Sequence, residues 1–352
     1  MALGSAETTR LDASAFAIGF DHRDRARLFE LWSEVLDSEQ WSEGPMLDAF
    51  ERRWAEWNGL PALGLSSWTG GALAALEFAG VRGETVLCPS NTFMATPLAA
   101  IKAGAEVEFV DCNRSDLCMS FEDFERKAER HRPRAAILVH IGGHIAFDAE
   151  RIAAYCHEQG IFLLEDCAHA HGADWNGRKP GGFGDAGVYS LYATKTVSTG
   201  EGGVLVSASE ELLEFARRFR NYGKLEHKID PKVDGLNFRM SEFTAALGLV
   251  QAERMEQIVA WKNEYAREHL DPLHPARLEL PEGMTSGLYK YVVFEQIDKS
   301  TGRVYEQPCH RIMGRPDELP NTDWVAENHW CVPLYYRPQS REAALGKDDA
   351  SS

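Results

Sequence analysis

Short apolar runs alternate with amphipathic segments along the first half of the chain. Five runs have the length and composition of buried strands: residues 62–67, 85–90, 106–112, 135–141 and 161–167. The intervening segments have helical spacing: one begins after Thr69, and the others span residues 94–103, 120–131 and 148–159. Ser120 and Asp148 are the expected N-caps of the last two. Uniformly apolar strands separated by helices predict a mostly parallel sheet covered on both faces.

The pattern changes after residue 172. Asn176-Gly177 is a two-residue hairpin signal, and strand-like runs follow at residues 186–192 and 202–208 on either side of a Gly-rich turn. Helical spacing then dominates residues 210–219 and 241–270. These features predict further strands in the same sheet, which would then be mixed.

The C-terminal part has shorter elements. Residues 288–297 and 329–336 are strand-like, and a loop-like stretch separates them. Three prolines mark the junction near residues 265–285: Pro272, Pro275 and Pro281. We predict a large domain over residues 1–265, with an N-terminal helical arm over residues 1–50, and a smaller α+β domain over residues 266–352.

Composition narrows the function classes. The chain has 352 residues and a formal net charge of −17, so no broad nucleic-acid surface is expected. It contains no run of 18 apolar residues and no recognisable signal peptide, so we expect no membrane partner and a cytoplasmic location. The seven cysteines contain no C-x-x-C pair, which favours buried reduced thiols.

Ligands of parallel α/β sheets bind beyond the carboxyl ends of the strands. There, Asp166 follows a very apolar strand, where a carboxylate needs a positive partner. One alternative is a metal site with Cys167, His169 and His171, although the spacing matches no standard zinc motif. A second is a capped strand end with solvated histidines. We favour a third, in which Asp166 binds the protonated ring nitrogen of pyridoxal phosphate.

Two further post-strand segments suit the same ligand. Lys195 lies between a strand and a Gly-rich turn, where a lysine of lowered pKa can form a Schiff base with an aldehyde. Taken alone, it could equally be a surface lysine. Thr69-Gly70-Gly71 opens a helix directly after a strand, an arrangement that binds anions, although a simple N-cap would have the same sequence.

Five motifs, in order from about Gly44 to Leu270, resemble the DegT/DnrJ/EryC1/StrS family of sugar aminotransferases, which have the aspartate aminotransferase fold (fold type I). The phosphate loop is similar to SSWTGGALAAL (66–76), and the next family segment to PSNTFMAT (89–96). EDCAHAHGA (165–173) and SLYATKTVSTGEGG (190–203) resemble the Asp and Schiff-base lysine motifs. The fifth is GLNFRMSEFTAALGLVQ (235–251).

The resemblance implies specific roles around pyridoxal 5'-phosphate. Lys195 forms the aldimine and moves the proton, and Asp166 binds the pyridine nitrogen. Phe93 stacks on the ring and His169 lies near its 3-hydroxyl. The remaining implied contacts are phosphate binding by Thr69, Gly70 and Ser190, phosphate binding by Asn237 of a neighbouring subunit, and a possible substrate contact by Glu201. The shared site implies a homodimer.

The chain departs from the family pattern at two places. Trp68 replaces a glycine of the phosphate loop, so its indole either points away or forms a wall of the substrate pocket. The segment 305–336 matches poorly, and His310 and Arg311 in it are candidates for a substrate contact or for a structural role.

The resemblance implies a two-stage ping-pong transamination. An amino-acid donor, L-glutamate or glutamine, would supply the amino group, and a keto sugar, foremost a nucleotide-linked one, would accept it. Alternatives are a cyclitol or other keto acceptor, or a dehydratase or lyase of the same fold, although Lys195 argues against the dehydratase branch. A regulator without activity and a metal hydrolase are the remaining alternatives. We expect no bound metal.

Overall fold

The computed structural model describes residue 20 and residues 22–225 and 227–336. Over these residues the strands are, in order, β1 (Ala62–Leu65), β2 (Thr85–Pro89), β3 (Glu106–Val110), β4 (Ala135–Val139), β5 (Phe162–Asp166), β6 (Asp174–Trp175), β7 (Ala186–Ser190), β8 (Gly203–Val206), β9 (Lys224–Leu225), β10 (Lys228–Ile229), β11 (Met284–Thr285), β12 (Tyr291–Val293) and β13 (Trp330–Val332). The helices are α1 (His22–Ser38), α2 (Pro45–Asn58), α3 (Trp68–Ala79), α4 (Ala95–Lys102), α5 (Phe121–His131), α6 (Ala149–Gln159), α7 (Glu210–Phe219), α8 (Glu242–Tyr265), α9 (Cys309–Ile312) and α10 (Pro320–Glu327), with a π-helical turn at Ala266–Leu270.

Seven strands form the central sheet, in the spatial order β1-β8-β7-β5-β4-β2-β3. The five strands from β7 to β3 are parallel, and β8 is antiparallel to its neighbours β7 and β1. The predicted mostly parallel, mixed sheet is therefore confirmed. Each apolar run predicted as a strand between residues 62 and 208 contains one, and the helices predicted between them are present.

Of the three capping and turn signals, the structure confirms two and differs at one. Ser120 caps α5 as predicted, since its Oγ accepts a hydrogen bond from the Asp123 amide at 3.5 Å. Asp148 precedes α6, but its carboxylate instead accepts from the Phe121 amide at 3.1 Å. The Asn176-Gly177 turn is confirmed: both residues have positive φ, the conformation that a tight two-residue turn requires.

Three apolar clusters form the core. The largest lies between the sheet and its flanking helices, and a second lies under α1, α2 and α8. Helix α1 and the first six residues of α2 fall in the predicted N-terminal arm, of which residues 1–19 and 21 lie outside the described residues. The third is a small cluster in the C-terminal part: Ala266, Leu270, Tyr291, Val293 and Leu334.

The C-terminal residues are tied to the large sheet region at several points. β11 pairs with β6, and the Thr322 amide and hydroxyl each donate to Asp111 Oδ1 at 2.7 Å. Of the predicted strand 288–297 only the three residues of β12 are extended, and they pair with β13. α8 continues without a break into the π-helical turn, so the division at residue 265 stays a prediction.

All seven cysteines are buried and unpaired, as predicted. Burial raises the pKa of each thiol, so each stays protonated near neutrality. Among the described residues, no helix is both long enough and apolar enough to cross a membrane.

Candidate active site

Three sequence segments meet at one edge of the sheet. Asp166 ends β5 and Ser190 ends β7, and these strands are parallel neighbours. Because β8 is antiparallel, its first residue, Gly203, pairs with Ser190 on one side and with Leu65 on the other. The Asp motif, the lysine turn and the start of α3 therefore lie side by side, as the sequence predicts.

Asp166 is a buried carboxylate with only neutral partners. Its side chain is 4% exposed, and its two oxygens accept hydrogen bonds from Thr96 Oγ1 at 2.9 Å and the Ala168 amide at 3.1 Å. Burial raises the pKa of Asp166, and the positive charge of Lys195 opposes that rise. Since no described cation pairs with it directly, this carboxylate can bind the N–H of a cationic ring.

Lys195 lies in the turn after β7, where its backbone amide donates to the Tyr192 carbonyl at 2.9 Å. Its Nζ lies 4.6 Å from the centre of the Tyr289 ring. Burial lowers the pKa of Lys195 to about 8, Asp166 raises it, and the nearby charge of Lys290 lowers it further. A substantial neutral fraction of this amine is therefore available near physiological pH, as a nucleophile requires.

His169 is buried in an aromatic stack. Its ring lies 4.2 Å from that of Tyr289 and 5.7 Å from that of Tyr305. Its Nδ1 accepts from the Gly142 amide at 3.4 Å, so Nε2 carries the hydrogen and faces the Tyr305 hydroxyl at 3.4 Å. Burial, and then the charge of Lys195, hold the pKa of His169 well below its usual value, so the ring is neutral.

The start of α3 combines a cap with close backbone packing. Ser67 Oγ accepts from the Gly70 amide at 3.2 Å. A Cβ on Gly203 would lie 2.5 Å from the Ser67 carbonyl, so only glycine lets β8 approach this loop. A Cβ on Gly70 would meet the Phe238 ring at 2.9 Å, which ties the loop to the 235–251 segment.

Several residues of this edge remain open to solvent. Phe93 is 65% exposed, a large value for an aromatic side chain, and Thr69, Glu201 and Asn237 are exposed too. Ser190, by contrast, is buried, and its Oγ accepts from the Tyr192 amide at 3.3 Å. The roles assigned to these residues require a ligand or a partner chain, so they stay predictions.

Comparison with known proteins agrees with this geometry. The sequence profile of the DegT/DnrJ/EryC1/StrS aminotransferase family matches residues 23–344. The chain belongs to this family. It is 30% identical to dTDP-3-amino-3,4,6-trideoxy-alpha-D-glucose transaminase of Micromonospora megalomicea subsp. nigra over 341 residues, 89% of this chain and 91% of that protein. It is 31% identical to GDP-perosamine synthase of Vibrio cholerae over 253 residues, 71% of this chain and 68% of that protein.

Solved structures of the family share the fold. The crystal structure of DesV of S. venezuelae, in complex with a ketimine intermediate, superposes with a TM-score of 0.83 at 26% identity, covering 93% of this chain and 96% of that one. The predicted fold type I architecture is thereby confirmed.

Two candidate substrate contacts of this DegT/DnrJ/EryC1/StrS chain are buried in the described structure. The Trp68 indole is 7% exposed, packs in the main core and donates to the Val188 carbonyl at 3.2 Å, so it points away from the loop surface. His310 is fully buried, with Nδ1 2.7 Å from Ser90 Oγ and Nε2 3.3 Å from Asp323. Both side chains therefore have partners within the chain, as the structural alternative expects, and a substrate contact by either stays a prediction.

Arg311 differs from its neighbour His310 in exposure. Its guanidinium lies at the surface and pairs with Asp323 at 2.5 Å. This ion pair forms within the single chain and needs no ligand. A substrate contact by Arg311 stays a prediction.

The metal alternative gains no geometric support. Among the described residues, two groups place potential ligand atoms close together: Asp116, Cys118 and His144, and His140, Glu165 and Cys167. The second group contains Cys167, but neither contains Asp166, His169 or His171, the other residues that the sequence suggested. Glu165 also accepts three backbone hydrogen bonds, from Gly181, Phe183 and Gly184, so it already has a structural role.

Sequence reasoning missed the aromatic and cationic residues contributed by the C-terminal part. Tyr289 and Lys290 fall in a stretch predicted only as a strand, yet they precede β12 and face the lysine turn. Thr96 lies within the 89–96 motif but received no role. For Thr96, its place in the 89–96 motif was a signal that could have been used. Tyr289 and Lys290 had no such signal, because the lysine turn that they face lies nearly a hundred residues earlier in the chain.

Proposed function

We propose that this family member is a pyridoxal-phosphate-dependent aminotransferase that moves an amino group from L-glutamate or glutamine to a keto sugar, foremost a nucleotide-linked one. Its family membership and the names of its sugar-modifying relatives support this reaction. The observation that carries the proposal is that Lys195, whose pKa is about 8, lies at the same sheet edge as the buried Asp166 and within reach of its charge.

The residues present fit the cofactor. Asp166 is buried beside neutral donors only, and a pyridinium N–H would supply the positive partner that it lacks. The exposed Phe93 ring offers an apolar face for a planar heterocycle. Thr69, Gly70 and Ser190 lie at the strand and helix ends where a phosphate would bind.

When bound, pyridoxal phosphate supplies an aldehyde that carries the amino group and a ring that accepts electrons. The chain provides the rest. Lys195 Nζ is the nucleophile and then the base that removes the proton from the substrate Cα. Asp166 would keep the proton on the ring nitrogen, and His169, neutral and stacked on Tyr289, would lie near the 3-hydroxyl. The donor and the acceptor react in turn at the same site.

We also infer a homodimer, with Asn237 reaching the phosphate of the neighbouring subunit. Its exposed position in the single chain supports this contact. The division into residues 1–265 and 266–352 draws support from the small C-terminal apolar cluster, although other C-terminal residues such as Val292 and Cys309 pack in the main core. A cytoplasmic location agrees with seven buried, unpaired thiols.

The test is spectroscopic. Purified protein with added cofactor should show a visible absorption band that glutamate bleaches, and Lys195→Ala should abolish it because the amine in the turn beside Asp166 is removed. Lys102→Ala, an exposed lysine at the end of α4, is the matched control and should behave as wild type. A wild-type chain without the band, at saturating cofactor, refutes the proposal.

A further inference from the structure

Positive charge is in excess around the Tyr289 ring. Lys195 Nζ lies 4.6 Å and Lys290 Nζ 5.3 Å from the centre of this ring. A third lysine, Lys262 of α8, is buried nearby and donates to the Leu288 carbonyl at 3.1 Å. Among the charged groups that act on Lys195, Asp166 is the acid and Lys290 is a second cation.

Lys290 is the cation of this group that lacks a partner. Lys262 has its carbonyl and Lys195 has its proposed covalent role, whereas the Lys290 ammonium forms no ion pair or hydrogen bond within the described chain. The side chain is half-buried, so the surrounding medium strengthens its attraction for an anion relative to bulk water.

Backbone contacts, rather than charge, fix the position of Lys290. Its amide donates to the Gly142 carbonyl at 2.8 Å, and the Gly287 amide donates to the Gly143 carbonyl at 2.7 Å. Gly143 has φ +116, and a Cβ there would lie 2.5 Å from the Tyr289 nitrogen. This glycine therefore lets the loop after β4 hold residues 287–290 against the carboxyl edge of the sheet.

Lys290 also lines a cavity of about 440 Å³, together with the apolar residues Leu278, Leu288 and Val292 and the acids Asp271 and Glu279. Arg277, on the same cavity, already lies 3.5 Å from Asp271 and 3.7 Å from Glu279. Arg267 also lines it but is exposed. Lys195 and Tyr289 line a separate, smaller cavity.

We propose that Lys290 binds the carboxylate of the amino-acid donor, beside Lys195, and so determines donor recognition. This inference rests on the proposed aminotransferase function. A single ammonium without an arginine fork or a helix N-terminus suits one carboxylate better than the multiple charges of a diphosphate. A carboxylate on the carbon that reacts must lie close to Lys195 Nζ, and Lys290 shares the Tyr289 ring with that atom.

The two half-reactions can be measured separately. In Lys290→Met, the KM for glutamate in the first half-reaction should rise about 10-fold or more, the loss expected for one charge-assisted hydrogen bond. The acceptor half-reaction should keep its KM, and Lys290→Arg should recover most of the donor affinity. Lys299→Met, which removes an exposed lysine that does not line this cavity, is the matched control and should leave both values unchanged. An unchanged donor KM in Lys290→Met, or a change confined to the acceptor, overturns the proposal.

A binding measurement separates this inference from the proposed function. Glutarate has the carboxylates of the donor but no amino group, so calorimetry on the cofactor-free chain reports carboxylate recognition alone. Lys290→Met should weaken glutarate binding about 10-fold, in parallel with the KM. If the wild-type chain fails to transaminate but glutarate binding still requires Lys290, the proposed function fails and carboxylate recognition stands. Equal glutarate binding by both proteins, or none by wild type, refutes carboxylate recognition itself.

Discussion

Replacing Asp166 with asparagine removes a buried charge and keeps the shape of the side chain. The variant can retain an oxygen for the Ala168 amide and turn its own amide toward the Thr96 hydroxyl, 2.9 Å from Asp166 in the wild type. That hydroxyl can then donate to Thr92 Oγ1, also 2.9 Å away. The Thr92, Thr96 and Ala168 contacts are kept, but the asparagine amide brings two N–H groups for one acceptor at Thr96, so the stability measured includes the cost of the surplus buried donor as well as the gain from the lost charge.

Without cofactor, Asp166→Asn should be more stable than wild type at neutral pH. Burial raises the pKa of Asp166 above that of the unfolded chain, so the folded state binds the proton more tightly. The wild type therefore loses stability as pH rises from the unfolded pKa through the folded one. The advantage of the variant should be full above the folded pKa and should disappear in acid.

With cofactor, the sign reverses. The lost charge-assisted hydrogen bond to the ring nitrogen is worth about 1.5–3 kcal/mol, so affinity for pyridoxal phosphate should fall about 10- to 100-fold. Urea unfolding of the cofactor-free proteins and fluorescence titration with cofactor measure the two effects. An asparagine variant that binds cofactor as tightly as wild type, or that is less stable without it at neutral pH, refutes the reasoning.

Two further predictions concern the dimer and the fold. Lys195→Ala and Asn237→Ala homodimers should both be inactive. Mixing them at equal amounts should restore about one quarter of wild-type activity, because half of the dimers are mixed and each mixed dimer carries one intact site out of two. No recovery of activity in verified mixed dimers would argue against the shared site. Glu242→Gln should lower the free energy of unfolding by about 2–4 kcal/mol in urea, because Glu242 accepts from the backbone amides of Gly44, Met46 and Leu47 at the start of α2. The exposed Glu253→Gln on the same helix is its control, and equal stability of the two variants would contradict the assigned role.

The sheet region was predictable because its signals are local. Helix α7 spans Glu210–Phe219, the range predicted, since the Ser209 cap and an amphipathic period determine it together. The hydrogen-bond partners of side chains were harder to predict. Asp148 stands where an N-cap belongs but bonds to a different helix, because tertiary neighbours compete with the local cap.

The C-terminal part of the site could not be read from local pattern. Tyr289 reaches Lys195 because residues 287–290 hydrogen-bond to the loop at Gly142 and Gly143, far away in the chain. His310 looked available for a substrate, yet its partner Ser90 lies 220 residues earlier. Such pairings depend on the finished fold, and no periodicity in the sequence indicates them.

The seven buried thiols can report local opening of the folded structure. A thiol reagent can modify a cysteine only in molecules whose local structure has opened, and burial also keeps each sulfur protonated. Cys88 lies in the central sheet and Cys331 in β13. Mass spectrometry after timed labelling would therefore rank the opening of these regions in the unmodified protein, without any engineered probe.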